Sequence, residues 1–331
     1  MRVAAIDIGT NSVLLLIAEA RSGALAAVSE RAEITRLGQG VDASRELAEP
    51  AVERTLACLA RYAEEMRAAG VERIDAVGTS AMRDARGGEA FRQRARAILG
   101  VEPRVISGEE EAQLTFDGSL VGLPLDAGPV IVVDIGGGST EVIFGRTPGQ
   151  TAAAPAMGRG AAPPELPTVE LAVSLDVGSV RLTERHVRSD PPQPGELEAV
   201  RADVRAALAT LPRSPAPQAQ LIGVAGTVTT VAALAHGVAP YDASRVHGAT
   251  LHVTDLEDTV RRLASLSLAE RKALPALNPA RADVIVAGAV LLHEVALWAG
   301  ARPGSRGEPT PGTSLIASDR GVRWGLARRL V

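Results

Sequence analysis

The sequence predicts an α/β protein built from two similar halves flanking a cleft, and three observations point there. A strand–turn–strand unit carrying Asp-Ile-Gly occurs twice, at Asp7-Ile8-Gly9 and at Asp134-Ile135-Gly136, 127 residues apart. A strand ending in Gly-Thr ahead of a helix also occurs twice, at Gly78-Thr79 and Gly226-Thr227, 148 residues apart. The chain has 331 residues, 46% hydrophobic and 22% charged, which suits two ordinary domains with real cores and excludes whole-chain disorder.

In the first half, residues 3–6 are an apolar run, Asp7-Ile8-Gly9-Thr10-Asn11-Ser12 carries turn chemistry, and 13–17 is apolar again. Two strands meeting at a tight turn follow. Residues 50–69 have helical character, with Pro50 in the first turn and Gly70 just past the end. Residues 74–77 read as a buried strand, and Gly78-Thr79-Ser80 opens a helix. A short strand at 104–106 leads into a helix from Ser107 to about residue 121, and 122–128, with Pro124, reads as a linker.

Beyond the linker the pattern recurs. Residues 130–133 form a strand, Asp134-Ile135-Gly136-Gly137-Gly138-Ser139-Thr140 a turn, and 141–144 a strand. Residues 146–168, rich in Ala, Pro and Gly, predict an exposed loop. Helices are expected at 178–187 and 195–210, a loop at 212–218, a strand at 222–225, and a helix opened by Gly226-Thr227 through Ala235. Further helices fall near 254–265 and 281–299, a second Pro/Gly-rich loop at 302–312, and a last helix near Asp319. The expected domains are 1–122 with 319–331, and 123–318.

Composition excludes several functions. Aromatics are only 2%, so Ala, Val, Leu and Ile must fill the cores, and a net charge of −4 gives no global field for nucleic acid. Lys272 is the single lysine and follows no glycine turn, which excludes Walker-type NTPases and protein kinases. The single cysteine, Cys58, excludes an internal disulfide framework and cysteine zinc sites. Asp7 interrupts the N-terminal apolar run before it could serve as a signal segment. The apolar stretch 282–300 contains Asp283, His293 and Glu294, so a buried amphipathic helix is expected there rather than a membrane span. A soluble, cytoplasmic protein without membrane or nucleic-acid partners is the expectation. The five histidines show no paired metal spacing, and no Gly-x-Ser-x-Gly elbow is present.

The two Asp-Ile-Gly turns carry the chemistry. Backbone N–H groups in a concave turn suit phosphate oxygens, and glycine lets them approach closely. This makes Gly9, Thr10, Asn11, Ser12, Gly136, Gly137, Gly138 and Ser139 candidate phosphate contacts. Asp7 and Asp134, at strand ends, could hold Mg²⁺ directly or through water. Asp and Gly also make ordinary hairpin turns; the pairing of two such turns favours the phosphate reading. Ser107 and Glu110 fit a capping box, and Glu109 suits the positive helix end. Glu111 has no cap role; it could face the cleft as a general base or simply lie on a solvated face. Glu141 shares a face with Ser139 by period two, either toward the cleft or at a solvated strand edge. Arg36 and Arg83 could clamp phosphate through a planar fork. Gly226 and Thr227 offer amides at a helix N-terminus, or an ordinary connection with Thr caps.

Taken together these segments resemble the exopolyphosphatase/guanosine pentaphosphate phosphohydrolase (Ppx/GppA) family, a branch of the actin-like, sugar-kinase-like ATPase superfamily. The resemblance runs through Ala5-Ile6-Asp7-Ile8-Gly9-Thr10-Asn11-Ser12, Gly78-Thr79-Ser80-Ala81-Met82-Arg83 and Ile106-Ser107-Gly108-Glu109-Glu110-Glu111. It continues in Val133-Asp134-Ile135-Gly136-Gly137-Gly138-Ser139-Thr140-Glu141, Ser174-Leu175-Asp176-Val177-Gly178, Arg281-Ala282-Asp283 and Ser318-Asp319-Arg320-Gly321. It implies two ribonuclease-H-like domains and removal of the terminal phosphate from a phosphoanhydride chain with Mg²⁺, or Mn²⁺, and water. Glu111 matches the family's catalytic glutamate. Asp134 and Glu141 match its metal- and water-positioning carboxylates.

Long members of that family append a C-terminal helical domain with a His-Asp motif; this chain ends at Val331, and a short two-domain member is expected. Trp324 stands where many members carry Glu. Arg181, Arg185, Arg245 and Arg281 are candidates for a polyphosphate track that the sequence cannot place. The expected substrate is inorganic polyphosphate, with guanosine pentaphosphate as the alternative, and a homodimer is an open option. A superfamily kinase or ATPase, a non-catalytic sensor and an actin-like filament are the competing readings; Glu111, Asp134 and Glu141 argue for the hydrolase.

Overall fold

The computed structural model describes residues 1–21, 24–148, 167–216, 218–300 and 314–331. The chain divides into two compact units, Met1–Gly118 with Gly321–Val331, and Ser119–Arg320.

The first unit opens as an antiparallel meander, β1 (Arg2–Ile8), β2 (Ser12–Arg21) and β3 (Ala24–Ile34). After α1 (Val41–Ser44) and α2 (Glu49–Ala68), β4 (Arg73–Gly78) returns parallel to β1. Then come α3 (Ser80–Asp84), α4 (Gly88–Leu99), β5 (Arg104–Val105) parallel to β4, and α5 (Gly108–Ser119). The strand order is β3-β2-β1-β4-β5. Ala4, Ile6 and Ile8 of β1 join Val13, Leu15 and Ile17 of β2 beneath Leu59, Tyr62 and Met66 of α2 and Phe91 of α4. The intervening Val3 and Ala5 are buried as well, so β1 reads as a continuous apolar run, as a central strand covered on both faces must. Pro50 lies in the first turn of α2, and Gly70 takes φ +65° just beyond its end, as the sequence predicts.

The second unit repeats the plan. β6 (Gly128–Ile135), β7 (Thr140–Thr147) and β8 (Thr168–Leu175) form an antiparallel meander. They are followed by α6 (Ser179–His186), α7 (Pro194–Ala209), β9 (Gln220–Val224), α8 (Ala225–Ala235), α9 (Ala243–Val246), β10 (Thr250–His252) and α10 (Val253–Ser265). α11 (Leu268–Lys272), α12 (Ile285–Trp298) and β11 (Ser314–Ala317) complete it. The order is β10-β11-β9-β6-β7-β8, with β9 parallel to β6 and β11 parallel to β9. Counted within each unit, the first sheet runs third-second-first-fourth-fifth and the second third-second-first-fourth-sixth-fifth, so the two share the order of their first four strands. This is the ribonuclease-H-like arrangement used twice, the actin-like fold.

The last helix, α13 (Val322–Arg329), belongs to the first unit, where it packs on β1 and β2 and buries Trp324. A Cβ on Gly325 would lie 2.1 Å from the carbonyl oxygen of Leu114, so glycine lets α13 close on α5.

The helix expected to be amphipathic in 282–300 is instead apolar on every side. α12 is surrounded by α6, α7, α8 and α10. Its one carboxylate, Glu294, is 3% exposed and is paired with Arg205 of α7 at 2.8 Å. No helix among the described residues is long and apolar enough to cross a membrane. Of the loop expected at 146–168, residues 149–166 lie outside the described residues, while Thr147 closes β7 and Thr168 opens β8. The loop expected at 302–312 also lies outside them.

Candidate active site

In the first unit the β1–β2 turn closes through the Gly9 N–H, which donates to the Ser12 carbonyl at 2.9 Å. A Cβ on Gly9 would lie 3.0 Å from that oxygen. Residues 35–38 brace the turn. The N–H groups of Thr35 and Arg36 donate to the Asn11 carbonyl at 3.1 and 2.9 Å, and that of Gly38 donates to the Thr10 carbonyl at 2.9 Å. The approach is so close that a Cβ on Gly38 would lie 2.3 Å from Thr10 Cγ2. Arg36 is thereby set against the turn by its backbone, in the left-handed region at φ +51°.

Asp7 ends β1 just before this turn. Its Oδ1 is buried without a hydrogen-bond partner, and burial pushes the carboxyl up to about 6 against the pull of Arg323. Arg323 comes from α13 and also donates to Glu30 of β3 at 2.7 Å, beside Trp324, whose indole N–H reaches the same oxygen at 3.3 Å. An orphaned buried oxygen on a carboxyl is a standing demand for a proton or a cation.

Glu111 lies in the first turn of α5, where its Oε2 is 3.6 Å from Arg83 Nη1. Arg83, in the last turn of α3, also donates to the Ile106 carbonyl at 3.1 Å. The structure thus brings together the expected general base and one expected phosphate clamp. The capping box expected beside them forms only in half. Ser107 Oγ accepts from the Glu110 N–H at 3.1 Å, but the Glu110 carboxylate turns to Arg104 at 3.2 Å and Arg329 at 3.3 Å. Two arginines outbid one backbone N–H for that carboxylate.

In the second unit the β6–β7 turn closes in the same way, the Gly136 N–H donating to the Ser139 carbonyl at 3.0 Å. Its other carbonyls are taken by the start of α6. Ser179 N–H donates to the Gly136 carbonyl at 3.0 Å, and the Val180 and Arg181 N–H groups donate to the Gly137 carbonyl at 2.8 and 3.1 Å. Arg181 Nε adds a bond to the Gly138 carbonyl at 2.7 Å. A Cβ on Gly178 would lie 2.4 Å from the Gly137 oxygen, so glycine is required for this docking. The N–H groups of Gly137, Gly138 and Ser139 meet no acceptor among the described residues. Three adjacent amides with their carbonyls engaged elsewhere form an anion-binding nest.

Carboxylates stand beside the nest. Asp134 and Glu141 are directly opposed across β6 and β7. Glu141 Oε1 accepts from Ser139 Oγ at 2.7 Å and from Ser174 Oγ at 2.9 Å. Ser174 belongs to β8 and is not a candidate by sequence, because nothing local links it to Glu141.

Gly226 lies in the first turn of α8, and Arg281, one of the arginines the sequence could not place, stands against it. A Cβ on Gly226 would lie 2.3 Å from the guanidinium carbon, and Arg281 Nη1 donates to the Gly226 carbonyl at 3.2 Å. Burial lowers the arginine's pKa, and Tyr241 is the charged influence that opposes it. Thr227 is buried against Gly288 of α12, whose Cβ would lie 2.7 Å from the threonine methyl. The twin of Gly78 differs by one residue from the sequence expectation. β4 pairs Val77 with Asp7, and β9 pairs Val224 with Asp134, so the position equivalent to Gly78 is Ala225, at φ +71°.

The donors suit a hard divalent cation. Asp134 and Glu141 offer carboxylate oxygens in the second unit and Asp7 offers one in the first, and no group of three His, Cys, Asp or Glu among the described residues forms a protein-only cage. Mg²⁺ commonly takes one or two carboxylates and completes its shell with phosphate and water.

Residues 16–297 match the Ppx/GppA phosphatase family. Exopolyphosphatase 2 of Mycobacterium tuberculosis (strain ATCC 25618 / H37Rv) is 39% identical over 308 residues, 89% of this chain and 90% of its own. A guanosine-5'-triphosphate,3'-diphosphate pyrophosphatase of Photobacterium profundum is 37% identical over 142 residues, 43% of this chain and 28% of its own. The crystal structure of the type II variant of the Aquifex aeolicus Ppx/GppA phosphatase is 32% identical, covers 99% of each chain and superposes with a TM-score of 0.77. The match takes in the glycine nest, its carboxylates and most of both units: the chain belongs to the Ppx/GppA phosphatase family.

Proposed function

We propose that the chain hydrolyses the terminal phosphoanhydride of inorganic polyphosphate and releases orthophosphate. The observation that carries this reading is the nest of Gly137, Gly138 and Ser139 amides beside Asp134 and Glu141. Amides hold phosphate oxygens, paired carboxylates suit a cation and an attacking water, and the pattern needs no nucleophilic side chain. Phosphoryl transfer rests mainly on positioning and charge stabilisation, which such an arrangement supplies.

In this mechanism the nest amides hold the reacting phosphoryl group. Glu111 accepts a proton as the water oxygen bonds to phosphorus and the bond to the bridging oxygen breaks. The shortened chain leaves with that electron pair on its terminal oxygen. Arg83 Nη1 lies 3.6 Å from Glu111 Oε2, so this arginine helps to hold the base in place. Mg²⁺ or Mn²⁺, held by Asp134 and Glu141 or by Asp7, would neutralise phosphate charge. Arg281 beside Gly226 offers a further cation for phosphates away from the reacting one.

A second reading, hydrolysis of guanosine pentaphosphate, draws support from the pyrophosphatase of Photobacterium profundum, which matches 43% of this chain. Orthophosphate release from short polyphosphate, long polyphosphate and guanosine pentaphosphate, each with Mg²⁺, separates the two. Faster release from polyphosphate is expected; release from guanosine pentaphosphate alone selects the second reading, and ligand binding without release selects a sensor.

A further inference from the structure

We propose that Ser174 is a positioning residue that fixes Glu141 for hydrolysis, an inference that rests on the function proposed above. Asp134, Glu141 and Ser174 occupy one row across three adjacent strands, because β6–β7 pairs Asp134 with Glu141 and β7–β8 pairs Glu141 with Ser174. Facing positions in antiparallel pairs share one side of the sheet, so the three side chains stand together. Ser174 Oγ donates to Glu141 Oε1 at 2.9 Å, and Ser139 Oγ donates to the same oxygen at 2.7 Å. With both hydroxyls on Oε1, the second oxygen is aimed in a fixed direction and remains available.

Two features separate this from incidental surface bonding. Ser174 is exposed on β8, a strand at the sheet edge, where water competes for its hydroxyl and the bond adds little to folding. The first unit also provides an internal control. The same row there reads Asp7, Leu14, Ala32, since β1–β2 pairs Asp7 with Leu14 and β2–β3 pairs Leu14 with Ala32. The hydroxyl on the third strand is present where the middle position is a carboxylate and missing where it is leucine. The fold itself requires neither.

The test compares wild type, Ser174→Ala, Ser174→Thr and Glu141→Gln. Orthophosphate release from short polyphosphate is measured with saturating Mg²⁺, together with each thermal midpoint. Ser174→Ala is expected to lower kcat about tenfold, in the range that misplacing a reacting group produces, with KM and thermal midpoint close to wild type. Ser174→Thr restores the hydroxyl and is expected to restore kcat. A Ser174→Ala variant with wild-type kcat, beside an inactive Glu141→Gln, overturns this inference and leaves the proposed function standing. Failure of Thr to rescue, or a kcat loss that tracks a lowered thermal midpoint, overturns it too. A wild type that releases no orthophosphate overturns the proposed function and this inference with it.

Discussion

Replacing Asp7 by asparagine should make the chain more stable at neutral pH. Burial raises the Asp7 carboxyl from its ordinary 3.8 to about 6 in the folded chain, with Arg323 pulling the other way. Below about pH 4 the carboxyl is protonated in both folded and unfolded chains, and the residue is neutral in the balance. Between pH 4 and 6 the unfolded chain loses that proton while the folded chain keeps it, so stability falls as pH rises. Above pH 6 the loss is constant, about 3 kcal/mol at roughly 1.4 kcal/mol per pH unit. Asp7→Asn keeps the shape and removes the charge, so urea unfolding in EDTA at pH 7.5 should show a gain approaching that value. At pH 4 the two chains should unfold alike. Equal or lower stability of the variant at pH 7.5 would refute the argument that this buried oxygen lacks a partner in the folded chain. A group kept at such a disadvantage is typical of a functional site.

Gly178→Ala places a Cβ 2.4 Å from the Gly137 carbonyl oxygen, so α6 must retreat from the nest. A loss of about 1–3 kcal/mol in urea unfolding, with orthophosphate release reduced further than stability alone explains, is the expected result. Arg281→Ala removes a desolvated cation beside Gly226, and should raise KM for polyphosphate more than it lowers kcat. Steady-state kinetics at two salt concentrations checks this, since the arginine's contribution weakens as ionic strength rises.

Much of the fold was legible because local chemistry and tertiary role coincide at the Asp-Ile-Gly turns. Gly9 and Gly136 close identical turns, and the sequence motif marks both. The third strand of each unit was not legible. β3 has only exposed and half-buried positions among its described residues, and β8 alternates between the two at a sheet edge, so neither presents the apolar run that marks a buried strand. The Gly78 and Gly226 alignment slips by one residue because strand register, which is set by pairing, places Ala225 opposite Gly78's position. Glu111 was ambiguous by spacing; its pairing with Arg83 depends on α3 and α5 meeting, which a linear reading does not contain. Ser174 and Arg281 were hidden for the same reason, since each gains its meaning from a partner at least 33 residues away in sequence.

Glu111 is the residue at which the proposed hydrolysis of a phosphoanhydride by carboxylates and backbone amides is most exposed to test. Orthophosphate release from short polyphosphate should be measured with Mg²⁺ for wild type and Glu111→Ala, both checked for folding. Wild type should release orthophosphate and the variant should lose about 10²–10⁴-fold, the usual effect of removing a general base. A folded Glu111→Ala that releases orthophosphate at the wild-type rate would contradict the proposal.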